Sequence, residues 1–113
     1  MKVQYLGHHC DVRWGFYRNG KLALQLFTSG EDPDTPPGMP VATPTINTEH
    51  RIDADEIVVK DYFENEGMVR ALIEAGVIRR EYTLLYVGPD CPCGRCRLTD
   101  AARIEAYGLK QPT

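Results

Sequence analysis

The chain has 113 residues, 42% hydrophobic and 26% charged, with a formal net charge of −3. That length suits one core rather than two, and the composition is that of a folded chain rather than a disordered one. The acidic balance excludes the basic footprint usual for a general nucleic-acid binder.

Nothing in the sequence approaches the roughly 18 apolar residues of a membrane span, and residues 2–6 are too short for the apolar part of a signal peptide. The expectation is a cytoplasmic protein that keeps Cys10, Cys91, Cys93 and Cys96 as thiols or metal ligands. Charge is unevenly spread. Residues 51–78 carry a net −4 and residues 79–113 a net +2. The acidic middle suits a basic partner surface, although charge runs are commonly solvated surface.

Residues 3–6 read as a short strand. Residues 12–18 and 21–28 read as two longer ones joined by Asn19-Gly20, a pair favoured in two-residue type I′ turns because both central residues take positive φ. Such a turn pairs Phe16 with Ala23, Trp14 with Gln25 and Val12 with Phe27. It places Tyr17, Leu22, Leu24 and Leu26 on the opposite face. Both faces then carry large apolar groups, so the hairpin is expected to be covered on both sides, or on one side and by a partner on the other.

Residues 29–40 hold four prolines, two glycines and three acids, a composition that predicts an exposed loop. Residues 41–48 read as an edge strand because of Pro44, and residues 57–62 as another strand. Met68, Val69, Leu72, Ile73 and Val77 form an apolar stripe at helical spacing. That helix is expected to begin at Glu64 or Asn65 and to end at a left-handed Gly76, with Val77 packing back on Leu72. Residues 81–87 read as the final strand, with Tyr82, Leu84 and Tyr86 on one face. A tight loop over residues 88–96 follows. Thr99 is placed to cap a short helix over residues 100–107, stopped by Gly108. The expected class is α+β: one mainly antiparallel sheet of about five strands, one amphipathic helix packed on it and a short C-terminal helix, in a single domain over residues 1–113.

Cys91-Pro92-Cys93-Gly94-Arg95-Cys96 sets three thiols within six residues. With Cys10 as fourth ligand, or else His8, His9 or His50, they can be read as a structural zinc site; free thiols are the alternative. A redox pair of Cys93 and Cys96, or a catalytic thiol next to histidine, is the enzymatic version of the same residues. The sequence has no phosphate-binding glycine loop, no His-Glu-x-x-His pair and no Gly-x-Ser-x-Gly elbow, so a non-enzymatic protein is expected.

The segment Lys60-Asp61-Tyr62-Phe63-Glu64-Asn65-Glu66-Gly67-Met68 alternates aromatic and acidic groups at a strand-to-helix joint. It can be a binding segment, or a joint in which an aromatic packs as a hydrophobic staple and the acids favour the helix start.

Together with Val41-Ala42-Thr43-Pro44-Thr45-Ile46-Asn47 and Ala71-Leu72-Ile73-Glu74-Ala75-Gly76-Val77-Ile78, this segment resembles a family of small bacterial proteins carried on phages, plasmids and integrative elements. The likeness covers about residues 12–87 and is most specific from Lys60 to Val77. The cysteine-rich loop lies outside it. The resemblance implies a mobile-element setting, where small acidic proteins often block host defence nucleases, and brings no catalytic residues with it.

The expected function is therefore an interaction protein of anti-CRISPR or antirestriction type. It would meet a host protein, a nuclease or other defence effector, through Asp61, Tyr62, Glu64, Asn65 and Glu66, with Glu31, Asp32 and Asp34 of the acidic loop. The alternative is a zinc-stabilised module contacting nucleic acid through Arg79, Arg80, Arg95, Arg97, Arg103 and Lys110, with Tyr82, Tyr86 or Tyr107 as stacking platforms.

Overall fold

The computed structural model describes residues 1–108. In chain order the elements are β1 (Lys2–Tyr5), β2 (His8–Phe16), β3 (Leu22–Thr28), β4 (Pro40–Ala42), β5 (Glu56–Lys60), α1 (Met68–Glu74), β6 (Ile78–Tyr86), β7 (Pro92–Leu98) and α2 (Asp100–Tyr107). The class is α+β and the pairing antiparallel, as expected. The strands, however, form two sheets and not one: a four-stranded sheet in the order β1-β2-β3-β4 and a three-stranded sheet in the order β5-β7-β6.

The split occurs in the segment read as a single strand over residues 41–48. Pro40–Ala42 pairs with β3, and the chain then crosses to the second sheet at Pro44, which has no N–H to continue a ladder. Thr45 bridges to Val59, Ile46 N–H donates to the Val58 carbonyl at 3.0 Å, and Lys60 N–H donates to the Pro44 carbonyl at 2.8 Å. The Thr45 hydroxyl also accepts from Leu24 N–H at 3.0 Å and lies 3.0 Å from the Tyr17 hydroxyl. One buried threonine thus ties the two sheets together.

The β2–β3 hairpin is one residue out of the expected register. Trp14 faces Leu24, Val12 faces Leu26 and Phe16 faces Leu22. Only Gly20 takes positive φ (+85°), not Asn19. Gly20 N–H donates to the Tyr17 carbonyl at 2.9 Å and Tyr17 N–H to the Lys21 carbonyl at 2.8 Å. The loop is therefore a three-residue turn with a glycine bulge. The two-residue turn with positive φ at both positions lies instead at Leu6-Gly7, between β1 and β2. The shift puts Val12 and Trp14 on the same face as Leu22, Leu24 and Leu26, so the hairpin has one core face. The other is partly solvated, with the Arg13 guanidinium laid over the Phe27 ring at 4.1 Å.

A single hydrophobic cluster joins both sheets and both helices. Leu24, Leu26, Val59, Met68, Leu72, Val77, Cys96 and Ala102 are fully enclosed in it. Gly94 lets α1 sit close on β7, because a Cβ there would lie 3.2 Å from Val69 Cγ2 and 3.1 Å from Cys96 Sγ. Thr99 caps α2 through Ala102 N–H at 3.2 Å, and Gly108 ends it at φ +64°. Gly76 closes α1 as expected: its N–H donates to the Ile73 carbonyl and Val77 N–H to the Leu72 carbonyl, both at 3.0 Å. Among the described residues no helix is long and apolar enough to cross a membrane.

Candidate interaction site

The acidic joint is built from both ends. The helix begins at Met68, later than Glu64 or Asn65, because a 3-10 turn at Phe63–Asn65 and Gly67 at φ +84° come first. Asp61, at the end of β5, caps it. One carboxylate oxygen accepts from Gly67 N–H at 2.6 Å and Met68 N–H at 3.2 Å, and the other from Val69 N–H at 3.4 Å. Asn65 is 2% exposed, and its amide donates to the Thr43 carbonyl at 2.9 Å. The Tyr5 hydroxyl, reaching from β1, donates to the carbonyls of Glu64 at 3.1 Å and Glu66 at 2.9 Å. Burial, with Asp61, Glu64 and Glu66 nearby, pushes the Tyr5 phenol above its ordinary value, so it stays a donor. Of the residues expected to meet a partner here, Asp61 and Asn65 hold the joint together from inside.

What the joint presents outward is Phe63. Its φ is +51°, a left-handed conformation that a bulky side chain rarely adopts, and it is 79% exposed. Tyr62 meets its ring edge-on at 5.3 Å between centroids. Glu64 and Glu66 follow it in the turn, both exposed. Lys60 pairs with Glu64 at 2.5 Å and holds its carboxyl below the usual range, while Glu66 has no salt bridge among the described residues. The exposed Leu6 lies beside Glu64 and Asn65 across a shallow depression.

Two of the other expected contact residues, Glu31 and Asp32, are occupied. Glu31 pairs with Lys2. Asp32 accepts from His9 N–H at 3.0 Å and from the His9 ring at 2.8 Å, which raises the His9 pKa and lowers that of Asp32. Asp34 is exposed and has no salt bridge among the described residues.

Three arginines of the alternative reading are paired within the fold, Arg95 and Arg97 on the face of β5-β7-β6 turned away from α1 and Arg79 toward α2. Arg95 makes a two-pronged pair with the buried Glu56 at 2.8 and 2.9 Å, and Arg97 bridges Asp53 and Asp55 at 2.9 and 2.8 Å. Arg79 reaches Asp100 at 3.5 Å. The acidic middle and the basic C-terminal third thus answer each other across neighbouring strands. Arg80 and Arg103 are exposed, and Lys110 lies outside the described residues. Tyr107 packs against Phe16 at 5.9 Å and donates its hydroxyl to the Ala54 carbonyl, whereas Tyr82 and Tyr86 are exposed.

The expected cysteine loop is largely the strand β7, and only Cys91 lies in the turn before it. Cys93 and Cys96 are three residues apart on that strand and so point to opposite faces. Cys93 shares its face with Lys60 and Leu85; Cys96 sits in the core. Cys10 is paired with Val3 and Thr28 in the other sheet. One tetrahedral site for all four would need their sulfurs within about 4 Å of each other, and hence a rebuilt β7. Burial raises the pKa of Cys10 and Cys93, and pushes Cys96 to about 12. These three thiols are therefore held protonated, the less nucleophilic form. Cys91 faces the Tyr62 phenol, whose pKa it raises.

Sequence reasoning missed two features: the strained Phe63 and the capping role of Asp61. Gly67 was the available signal for both, since a glycine inside an expected helix start marks an interruption. No protein-family model, curated protein or solved structure matches the chain.

Proposed function

We propose that the protein is a non-enzymatic binding protein that presents Phe63, with Glu64 and Glu66 in the same turn, to a basic surface on another protein. The observation that carries this reading is the exposed Phe63 at φ +51° on a turn fixed by Tyr5 and Asp61. A left-handed non-glycine residue costs about 1–2 kcal/mol, and such strain is characteristic of ligand clamps and recognition sites. An aromatic anchor with a charged rim is the usual composition of a binding hot spot, and the carboxylates would steer a basic partner toward it.

The resemblance to mobile-element proteins supplies the setting: the partner would be a host defence effector whose basic groove ordinarily receives phosphate. On this reading the contact is made by one turn rather than by the acidic middle as a whole, most of whose charges have partners inside the fold. The test is affinity capture from host lysate with the wild-type chain, Phe63→Ala and Glu66→Lys. A protein retained by the wild type and lost from both variants, with melting temperatures within a degree or two of each other, supports the reading. Equal retention by all three refutes it.

A further inference from the structure

We propose that two copies of this chain associate edge to edge through β6, joining their three-stranded sheets into one sheet of six. The proposal is independent of the Phe63 reading. In the order β5-β7-β6, strand β6 is the edge, and its outer backbone groups have no partner strand among the described residues. Edge strands in folded proteins are ordinarily blunted by proline, lysine or covering loops. β6 carries a bulge between Ile78 and Tyr82, but the regular stretch beyond it, Tyr82-Thr83-Leu84-Leu85-Tyr86, has no proline, no lysine and no charge. It is rich in residues that favour strands. On its α1-facing side Tyr82, Leu84 and Tyr86 are 45%, 65% and 56% exposed. The seven-residue α1 is too short to cover them.

Charge selects the occupant and its direction. Arg79 and Arg80 stand at the start of β6, and Asp90 stands in the turn just past its end. Arg80 and Asp90 are both exposed, with no salt bridge among the described residues. A second β6 laid parallel would set Arg80 beside Arg80. Laid antiparallel about a two-fold axis at Leu84, it sets Leu84 against its own copy and Tyr82 against Tyr86 at both ends. Arg80, in the bulge just before the regular stretch, then lies at the same end of the interface as Asp90 of the other copy. A two-fold axis perpendicular to the sheet keeps all six apolar side chains on one face, where they form an unbroken stripe between the two α1 helices. The same surface therefore complements itself in hydrogen bonding, apolar contact and charge, the requirement for an isologous dimer. The added strand supplies main-chain hydrogen bonds and the stripe supplies the apolar contact.

Sedimentation equilibrium on the full chain tests this. The wild type is expected at twice its 12.7 kDa chain mass at about 100 µM, the range in which a modest interface is populated. Arg80→Glu and Asp90→Arg should each raise the dissociation constant at least tenfold, and the double charge swap should restore it. Leu84→Lys should give a monomer. Because Arg80 and Asp90 are exposed, the charge variants keep the test valid if Leu84→Lys folds poorly. Phe63→Ala should leave the dimer intact, which separates this proposal from the binding turn. A wild-type monomer at that concentration, or a dimer indifferent to Arg80→Glu and Asp90→Arg, overturns it.

Discussion

In β3 the alternating Leu22, Leu24 and Leu26 close the core, whereas in β6 the alternating Tyr82, Leu84 and Tyr86 point to a helix-bearing face and stay exposed. Alternation alone says which side chains share a face, not whether anything covers that face. β3 lies inside its sheet with the whole core against it. β6 is an edge strand beside a helix of only seven residues. The same contrast runs through the charges. Charges around β5 and β7 pair with each other, while Arg80 and Asp90 near the ends of β6 and Glu66 on the Phe63 turn have no salt bridge among the described residues.

The largest expected effect tests the leucines. Leu24→Ala should cost about 3 kcal/mol through lost burial and a cavity. Leu84→Ala should change the monomer by less than about 0.5 kcal/mol. Urea unfolding at low chain concentration measures both, and similar losses at the two sites would erase the distinction.

Next comes the Glu56–Arg95 pair. Glu56→Gln should cost about 2 kcal/mol near neutral pH, less than a fully enclosed pair because Arg95 is partly exposed. The Arg95 hydrogen bonds hold the Glu56 carboxyl below its ordinary 4.5. Its stabilisation is therefore present above about 4.5 and lost as pH falls through the lower folded value. The wild type should lose more stability on acidification than Glu56→Gln, as read from urea midpoints across that range. A smaller effect is expected at the joint: Asp61→Ala should cost about 1 kcal/mol by uncapping α1, measured by thermal unfolding.

Where local chemistry decides, the sequence was legible. Thr99, Gly76 and Gly108 each specify a cap through one side chain or one left-handed residue, and each helix end falls where those residues place it. What escaped depended on groups distant in the chain. The Asn19-Gly20 register is a local exception: it turned on whether both residues or Gly20 alone took positive φ. The division into two sheets turned on Thr45 meeting Leu24 and Tyr17, more than 20 residues away. At the candidate site the segment was recognisable from Lys60 to Met68, but the roles within it were not. Asp61 and Asn65 read as surface acids and amides until Gly67, Met68 and Thr43 appear as their partners. The cysteine spacing suggested a knuckle, yet strand geometry sends Cys93 and Cys96 to opposite faces.

The most direct test of the account is Phe63→Gly, measured for both stability and partner capture. If the turn holds strain for the sake of an exposed aromatic, glycine should relieve it, raising stability by up to about 1 kcal/mol after its own entropic cost, while capture of the host protein is lost. A variant that is less stable than the wild type, or one that still retains the partner, would contradict the account.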